Sequence, residues 1–228
     1  MENVGRVSDR RITDNFAYSG GGGSWGRYER CCVTGNGCRA TASGLNAYPR
    51  LWVYDSVVAN NKGAYQVLSF NEIRNSTIAD TQSADSVVLW VQSGITGLMY
   101  DCVIAGRGVS WSNLKFHRCA LGDGLPGASE KAADENVCPE LDCLVLTADD
   151  LAWDDTFVPA KTSKLVDAGL NAYHTVPSES DALGIPRILN ATIDIGGVEY
   201  DWRKDYAQDI CAKTEVSAAS QGVVETDA

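Results

Sequence analysis

Asp101-Cys102-Val103-Ile104 is one copy of a short phrase that recurs through the first two thirds of the chain and decides its fold. Each copy has a polar residue, then Cys or Ser, then any residue, then an aliphatic one. The other copies begin at Arg30, Asp55, Asn75, Arg118 and Asp142. The Cys or Ser positions stand 17 to 26 residues apart, a period typical of solenoids, in which each turn buries its apolar face on its neighbours.

The residues within each phrase indicate strands that stack in register. In a strand, residues two apart share a face, so the Cys or Ser and the aliphatic residue point inward together. The first predicted inward column is Cys31, Ser56, Ser76, Cys102, Cys119 and Cys143. The second is Val33, Val58, Ile78, Ile104, Leu121 and Val145. A third, three residues before the first, is Tyr28, Val53, Ile73, Met99 and Phe116. Such β-branched and apolar residues suit a pleated, buried surface.

The uneven spacing selects one solenoid class among several. Helical repeats are longer, at about 33–47 residues, and need a 3.6-residue period that this chain lacks. We therefore predict an all-β protein, a right-handed parallel β-helix in which the turns absorb insertions. Its rungs would occupy residues 1–148, followed by a non-repetitive C-terminal capping unit at 149–202. Residues 203–228 would be a tail or the start of a following domain.

The N-terminal end already matches a rung, because Ile12 continues the aliphatic column. Nothing before Arg10 is long enough to form the polar cap that a solenoid needs where it begins. We expect the chain to be the C-terminal part of a longer β-helix. The alternative explanation is a second chain that stacks end to end on this rung.

Composition limits the partners of the protein. The formal net charge is −11, which argues against nucleic acid, because the phosphate backbone demands a basic surface. No apolar run approaches the ~20 residues that span a bilayer. The stretch from Met1 is polar and does not read as a signal peptide.

The eight cysteines have two interpretations. Four disulfides would indicate an extracellular protein. The column instead explains Cys31, Cys102, Cys119 and Cys143 as small buried hydrophobic residues. The candidates for disulfides are then Cys32, Cys38, Cys138 and Cys211, and Cys32 with Cys38 would close a tight loop.

Three short motifs near the C-terminus carry a family resemblance. They are Asp167-Ala168-Gly169, Gly184-Ile185-Pro186-Arg187 and Asp194-Ile195-Gly196-Gly197-Val198-Glu199. Together with the upstream phrases, from Arg10 to about Trp202, they resemble the choice-of-anchor Q proteins, whose β-helix is of the pectate-lyase-like class. The chain departs from that pattern at Gly197, where Ala is usual, and at Arg30 and Arg118, where Asn or Asp is usual. The resemblance implies a bacterial, exported, surface-associated protein.

The polar residues that open the phrases are the first candidates for chemistry. On an outward strand face, Asp55 and Asp101 on either side of Asn75 would bind Ca²⁺ or act as acid and base. Arg118 would then abstract or stabilise a proton from an acidic sugar. The alternative is a solvated face whose charges pair across rungs, each pair worth a few tenths of a kcal/mol.

Other candidates lie beside this column and near the C-terminus. A ligand stripe is predicted from Tyr54, Arg74, Tyr100 and His117, against an ordinary half-exposed face. Arg187, with Asp167, Asp194 and Glu199 available as partners, would form a bidentate, partly buried ion pair. This structural pair would lock the terminal unit against the last rung. The pairs Asp134-Glu135, Asp149-Asp150 and Asp154-Asp155 offer calcium ligands without the spacing of an EF-hand. No other cofactor is predicted.

Two functions remain open from the sequence. One is a surface or adhesin-like module whose rod serves as a stalk and faces a polysaccharide or cell-surface glycan. The other is a polysaccharide lyase or glycoside hydrolase of the pectate-lyase-like class. Fold analogy supports both, and fold does not determine function.

Overall fold

The structure, a computed structural model, describes residues 5–40, 42–80, 87–122, 124–153, 156–174, 179–189 and 191–201. The predicted tail at 203–228, including Cys211, lies outside these residues. Within them no helix is long and apolar enough to cross a membrane.

The chain forms a parallel β-solenoid, as the repeated phrase predicted. Sheet A runs in the order β1 (Arg6–Ser8), β4 (Gly23–Glu29), β7 (Ala42–Tyr54), β10 (Glu72–Arg74), β13 (Gly97–Tyr100) and β15 (Leu114–His117), and β9 (Tyr65–Leu68) and β12 (Val87–Trp90) pair beside β7. Sheet B contains β2 (Arg11–Thr13), β5 (Cys32–Thr34), β8 (Val57–Ala59), β11 (Thr77–Ala79), β14 (Val103–Ala105), β16 (Ala120–Gly122) and β17 (Leu144–Leu146). A two-stranded sheet joins β3 (Phe16–Ala17) to β6 (Gly37–Cys38). Helix α1 (Ala128–Ala132) and a 3₁₀ turn at Asn171–Tyr173 are the described helical elements.

The strand registers confirm the predicted columns. In sheet B, Ile78 pairs with Val58 on one side and with Ile104 on the other. In sheet A, Ile73 pairs in the same way with Val53 and Met99. All of these side chains are fully buried, so the interior of the rod is continuous from rung to rung.

The polar residue of each phrase lies at a corner of the rod rather than on a strand. Five of the six have a left-handed backbone, namely Arg30, Asp55, Asn75, Asp101 and Arg118, with φ between 46° and 52°. The prediction that they point outward from a strand face is therefore wrong. Asn and Asp adopt this conformation more readily than most residues, whereas Arg does so at a cost.

A buried amide ladder runs through a second corner of the rod. The side-chain oxygen of Asn36 accepts hydrogen bonds from the backbone and side-chain nitrogens of Asn15, both at 3.0 Å. Asn61 accepts from Asn36 in the same way, at 3.0 and 2.9 Å. Gln66 then accepts from Asn61, at 2.9 Å for each nitrogen. The ladder satisfies polar groups that the turns would otherwise leave buried and unpaired.

The end of the rod beyond β15 is covered by the chain between β16 and β17. Leu125, Ala128 and Val137 of this connection pack into the main apolar core. A disulfide joins Cys138 to Cys143, so Cys143 is not the buried thiol that the column predicted. Cys31, Cys102 and Cys119 are buried thiols as predicted, and Cys32 and Cys38 are thiols rather than a disulfide.

The described part of residues 149–201, here called the C-terminal segment, packs along the side of the rod. Phe157 and Val198 cluster with the outer residues of sheet B around Val57 and Ala79. Leu165 and Ile195 do the same around Val103 and Ala120. The expected lock against the last rung is therefore replaced by contacts that extend over several rungs of sheet B.

Candidate functional site

Arg187 of the C-terminal segment lies at the centre of a buried charge cluster. Its side chain is 1% exposed. The Nε atom lies 3.3 Å from Oδ1 of Asp55, and the Nη1 atom lies 3.0 Å from Oε1 of Glu199. Nδ1 of His174 lies 3.9 Å from the same Asp55 oxygen. The arginine thus connects a corner of the rod to the C-terminal segment, and Asp55 is inaccessible to solvent.

Asp101 and Arg118 also face the C-terminal segment. The Oδ2 atom of Asp101 accepts a hydrogen bond from the backbone N–H of Leu170 at 3.0 Å. Nε of Arg118 donates to the carbonyl of Ala168 at 2.6 Å. Asp101 is fully buried. Neither Asp55 nor Asp101 can therefore meet a polysaccharide while the segment is in place.

Glycines allow the backbone of the C-terminal segment to approach this closely. A Cβ at Gly197 would lie 2.3 Å from the carbonyl oxygen of Ser56. The N–H of Gly197 donates to Oγ1 of Thr77 at 3.0 Å. The N–H of Gly196 donates to the backbone carbonyl of Asp101 at 2.9 Å. The contact is therefore between two backbones, with no room for a side chain.

Asp194 has a structural role that differs from the predicted ion pair. Its Oδ1 accepts from the N–H of Asp167 at 2.7 Å, and its Oδ2 accepts from the N–H of Tyr200 at 2.6 Å. The two ion pairs of Arg187 are with Glu199, which was among the predicted partners, and with Asp55, which was not. Asp167 contributes its backbone, and its side chain is exposed.

Burial dominates the electrostatics of this cluster. Loss of solvent raises the pKa of Asp101 to about 7, although the N–H of Leu170 and the charge of Arg118 lower it. Burial likewise raises the pKa of Asp194 to about 6. The pKa of Glu199 is also raised by burial, against the opposing charge of Arg187. Such shifts occur at functional sites and also in structural ion clusters.

The predicted stripe of Tyr54, Arg74, Tyr100 and His117 is a real column on sheet A, with each member next to the following one in register. The guanidinium of Arg74 lies 4.1 Å from the ring centre of Tyr100. The rings of Tyr100 and His117 stack at 4.6 Å. Tyr173 covers part of the column, because its ring lies 5.1 Å from that of Tyr100. Tyr54 is 7% exposed.

The column is further closed by ion pairs. Glu72 accepts from the Tyr54 hydroxyl at 2.9 Å and from Nε of Arg74 at 2.8 Å. Burial raises the pKa of the Tyr54 hydroxyl above its ordinary range. Nδ1 of His117 lies 2.7 Å from Oε2 of Glu140. These side chains bind one another, which leaves little of the predicted stripe open to a ligand.

A second outward column on sheet A is more open. Successive strands place Arg27, Trp52, Glu72, Leu98 and Lys115 side by side. All five residues are half-buried. The column leads into a surface groove of about 410 Å³. The groove, here called the Trp111 groove, is lined by Thr96, Trp111, Ser112, Asn113, Leu114, Lys115, Lys131, Asp134, Asn136 and Val137.

Of the three acidic pairs predicted as calcium ligands, two have a member that binds another side chain, and the third lies outside the described residues. Asp150 accepts from the N–H and hydroxyl of Thr147, both at 2.9 Å. Asp134 pairs with Lys131 at 2.9 Å, and Asp154-Asp155 lies outside the described residues. In the part of the chain that the structure describes, one group of three ligand side chains is compact enough for a metal ion, Cys138, Asp142 and Cys143. Two of its members form the disulfide, so calcium binding stays a prediction.

Sequence reasoning missed the partners that bury the phrase residues. Glu199 was among the acids predicted for Arg187, but no signal in the sequence indicated that Asp55 would be the other partner. Nothing local indicated that Tyr173 would cover Tyr100. A scan against models of protein families finds no match to this chain, and a search of curated proteins finds none either.

Proposed function

We infer that this protein is a right-handed β-helix module of the choice-of-anchor Q type, exported and attached to a bacterial surface. In this function the rod is a stalk, and the outer face of sheet A binds a carbohydrate without cleaving it. The handedness is predicted from the uneven spacing of the repeat, and the family and the location rest on the sequence motifs around Asp167, Arg187 and Asp194.

The observation that carries the carbohydrate proposal is the continuity between the open column and the Trp111 groove. Lys115 belongs to both, since it ends the column and lines the groove. The volume of about 410 Å³ falls in the range of small-ligand sites, about 300–1,000 Å³. Aromatic rings at Trp52 and Trp111 supply faces for a sugar ring, and the amides and amines around them supply hydrogen bonds to hydroxyl groups.

The enzymatic alternative, a lyase or hydrolase, gains no support from the candidate residues. General acid–base catalysis requires groups within hydrogen-bond reach of the substrate. Asp55 and Asp101 are buried beneath the C-terminal segment, and Arg118 donates to the carbonyl of Ala168. The binding module is therefore the function that we propose.

A panel of neutral and acidic oligosaccharides tests the proposal by calorimetry, with and without Ca²⁺. We expect binding without release of reducing ends or unsaturated products. Trp52→Ala and Lys115→Ala should each weaken binding roughly tenfold, the effect of losing about 1.4 kcal/mol. Trp25→Ala is the matched control, because Trp25 is 69% exposed outside this column. Turnover of any glycan, or equal binding by all three variants, would contradict the module.

A further inference from the structure

The contact between the rod and the C-terminal segment buries more acid than base. Among the described residues, six carboxyl side chains in or beside this contact are 0 to 2% exposed: Asp55, Asp101, Asp181, Asp194, Glu199 and Asp201. One buried arginine, Arg187, accompanies them. Removing an unpaired carboxylate from water is costly, and a buried acid usually takes up a proton instead. The contact therefore favours at least one neutral carboxyl.

Asp181 and Glu199 of the C-terminal segment have partners within that segment. Asp181 accepts three hydrogen bonds at 2.8 Å, from the N–H groups of Leu183, Ile185 and Glu199. Glu199 has Arg187 as its ion-pair partner. These hydrogen bonds and this ion pair stay intact if the segment separates from the rod. Asp181 and Glu199 therefore keep these partners whether the segment is docked or released.

Asp101 differs because it belongs to the rod and is buried by the segment. Its Oδ2 accepts from the N–H of Leu170, and its Oδ1 has no hydrogen-bond partner among the described residues. Asn75, at the equivalent corner of the neighbouring rung, is fully buried with both amide atoms unpaired in the same sense. The titratable groups that interact electrostatically with Asp101 are Arg118, Cys119 and Asp142 from the rod, and Arg187 and Tyr173 from the segment.

We propose that this contact is a pH-sensitive latch, in which a proton on Asp101 accompanies docking of the C-terminal segment and its loss loosens the segment from the rod. The proton removes a buried charge and turns the carboxyl into a donor. The protonated Oδ1 can then donate to a neighbouring acceptor, at a corner where Asn75 also has no partner in the part of the chain that the structure describes. Release of the segment exposes the corner column of Asp55, Asn75 and Asp101.

The direction of the pH effect follows from burial. Desolvation raises the pKa of Asp101 from an ordinary value of 3.8 to about 7 in the docked protein. When the segment is released, the carboxyl regains water and its ordinary pKa. Protonation of Asp101 therefore contributes its full free energy to docking below about pH 4. This contribution decreases as the pH rises and is lost above about pH 7.

Hydrogen exchange of residues 191–201 at pH 5 and pH 8, corrected for intrinsic exchange rates, tests the latch. We expect opening of this stretch to increase roughly ten- to hundredfold at pH 8, the range that linkage to a single raised carboxyl allows. Strand β14 should stay protected at both pH values, which separates local release from unfolding. Equal opening of the segment at the two pH values would overturn the proposal.

Asp101→Asn gives the matched variant, since it keeps the shape and removes the titration. Its segment should open equally at pH 5 and pH 8, whereas Asp149→Asn, at an exposed position, should behave as the parent does. A pH response that persists in Asp101→Asn would assign the effect to another group and overturn the latch. If that variant does not fold, ¹³C titration of the Asp101 carboxyl in the parent decides: a midpoint near 7 supports the latch and one near 4 refutes it.

Discussion

Nε of Arg187 lies 3.3 Å from Oδ1 of Asp55, and both side chains are almost completely buried. Asp55 stands at a corner of the third rung, and Arg187 belongs to the C-terminal segment. The pair therefore connects parts of the chain that share no local sequence signal. A buried pair of this kind is costly to break, because removal of one partner leaves the other as a buried charge without a counter-ion.

Replacing the arginine tests how much of the C-terminal segment depends on this pair. Arg187→Met should destabilise the protein by about 3–5 kcal/mol, since Asp55 and Glu199 lose their shared cation. Urea unfolding at pH 7 measures the loss. Arg107→Met, at an exposed position, provides the control and should stay within ~0.5 kcal/mol of the parent. A small effect at Arg187 would mean that the cluster is neutral or hydrated.

The Gly197 position lies against the rod with no space for a side chain. A Cβ there would lie 2.3 Å from the carbonyl oxygen of Ser56. Gly197→Ala should therefore force the segment away from the rod, at a cost of about 1–3 kcal/mol. Hydrogen exchange at residues 191–201 would report the change. Gly5→Ala, with nothing within 4 Å of the added carbon, should leave exchange unaltered; unaltered exchange in Gly197→Ala would show that the backbones lie farther apart.

The interior of the rod was predictable because its signal is local and repeated. Each phrase places an aliphatic residue two positions after a small one, and strand geometry then determines the shared face. The pairing of Val58, Ile78 and Ile104 follows from that spacing alone. Turns of variable length do not disturb it, since they leave the strand register unchanged.

The corners and the candidate site were not predictable in the same way. A left-handed residue ends the strand one position earlier than the periodicity suggests, and Arg30 and Arg118 gave no sign of that backbone. Burial of Asp55 and Asp101 depends on contacts with residues far along the chain. The Cys138–Cys143 disulfide was hidden because Cys143 also fits the apolar column.

The amide ladder allows the loss of stability to be compared between a buried position, Asn36, and an exposed one, Asn15. Asn36→Leu keeps the volume but leaves polar groups of the neighbouring rungs unpaired, including the N–H of Asn15. We expect a loss of about 1–3 kcal/mol for each buried group left without a partner. Thermal or urea unfolding measures it. Asn15→Leu, at the exposed end of the ladder, should cost clearly less, and equal costs would indicate that water can replace the ladder.

The most severe single change is expected at Ile104, which pairs with Ile78 and Leu121 in the aliphatic column. Ile104→Asp removes about 1.5–3 kcal/mol of side-chain burial and adds the penalty for a charge with no polar partner inside the rod. We expect the variant to be largely unfolded at 25 °C by circular dichroism. Gln92→Asp is the control, because Gln92 is exposed and should melt with the parent. A parent-like melt for Ile104→Asp would contradict the column and, with it, the stacking of the strands on which the outer face of sheet A depends.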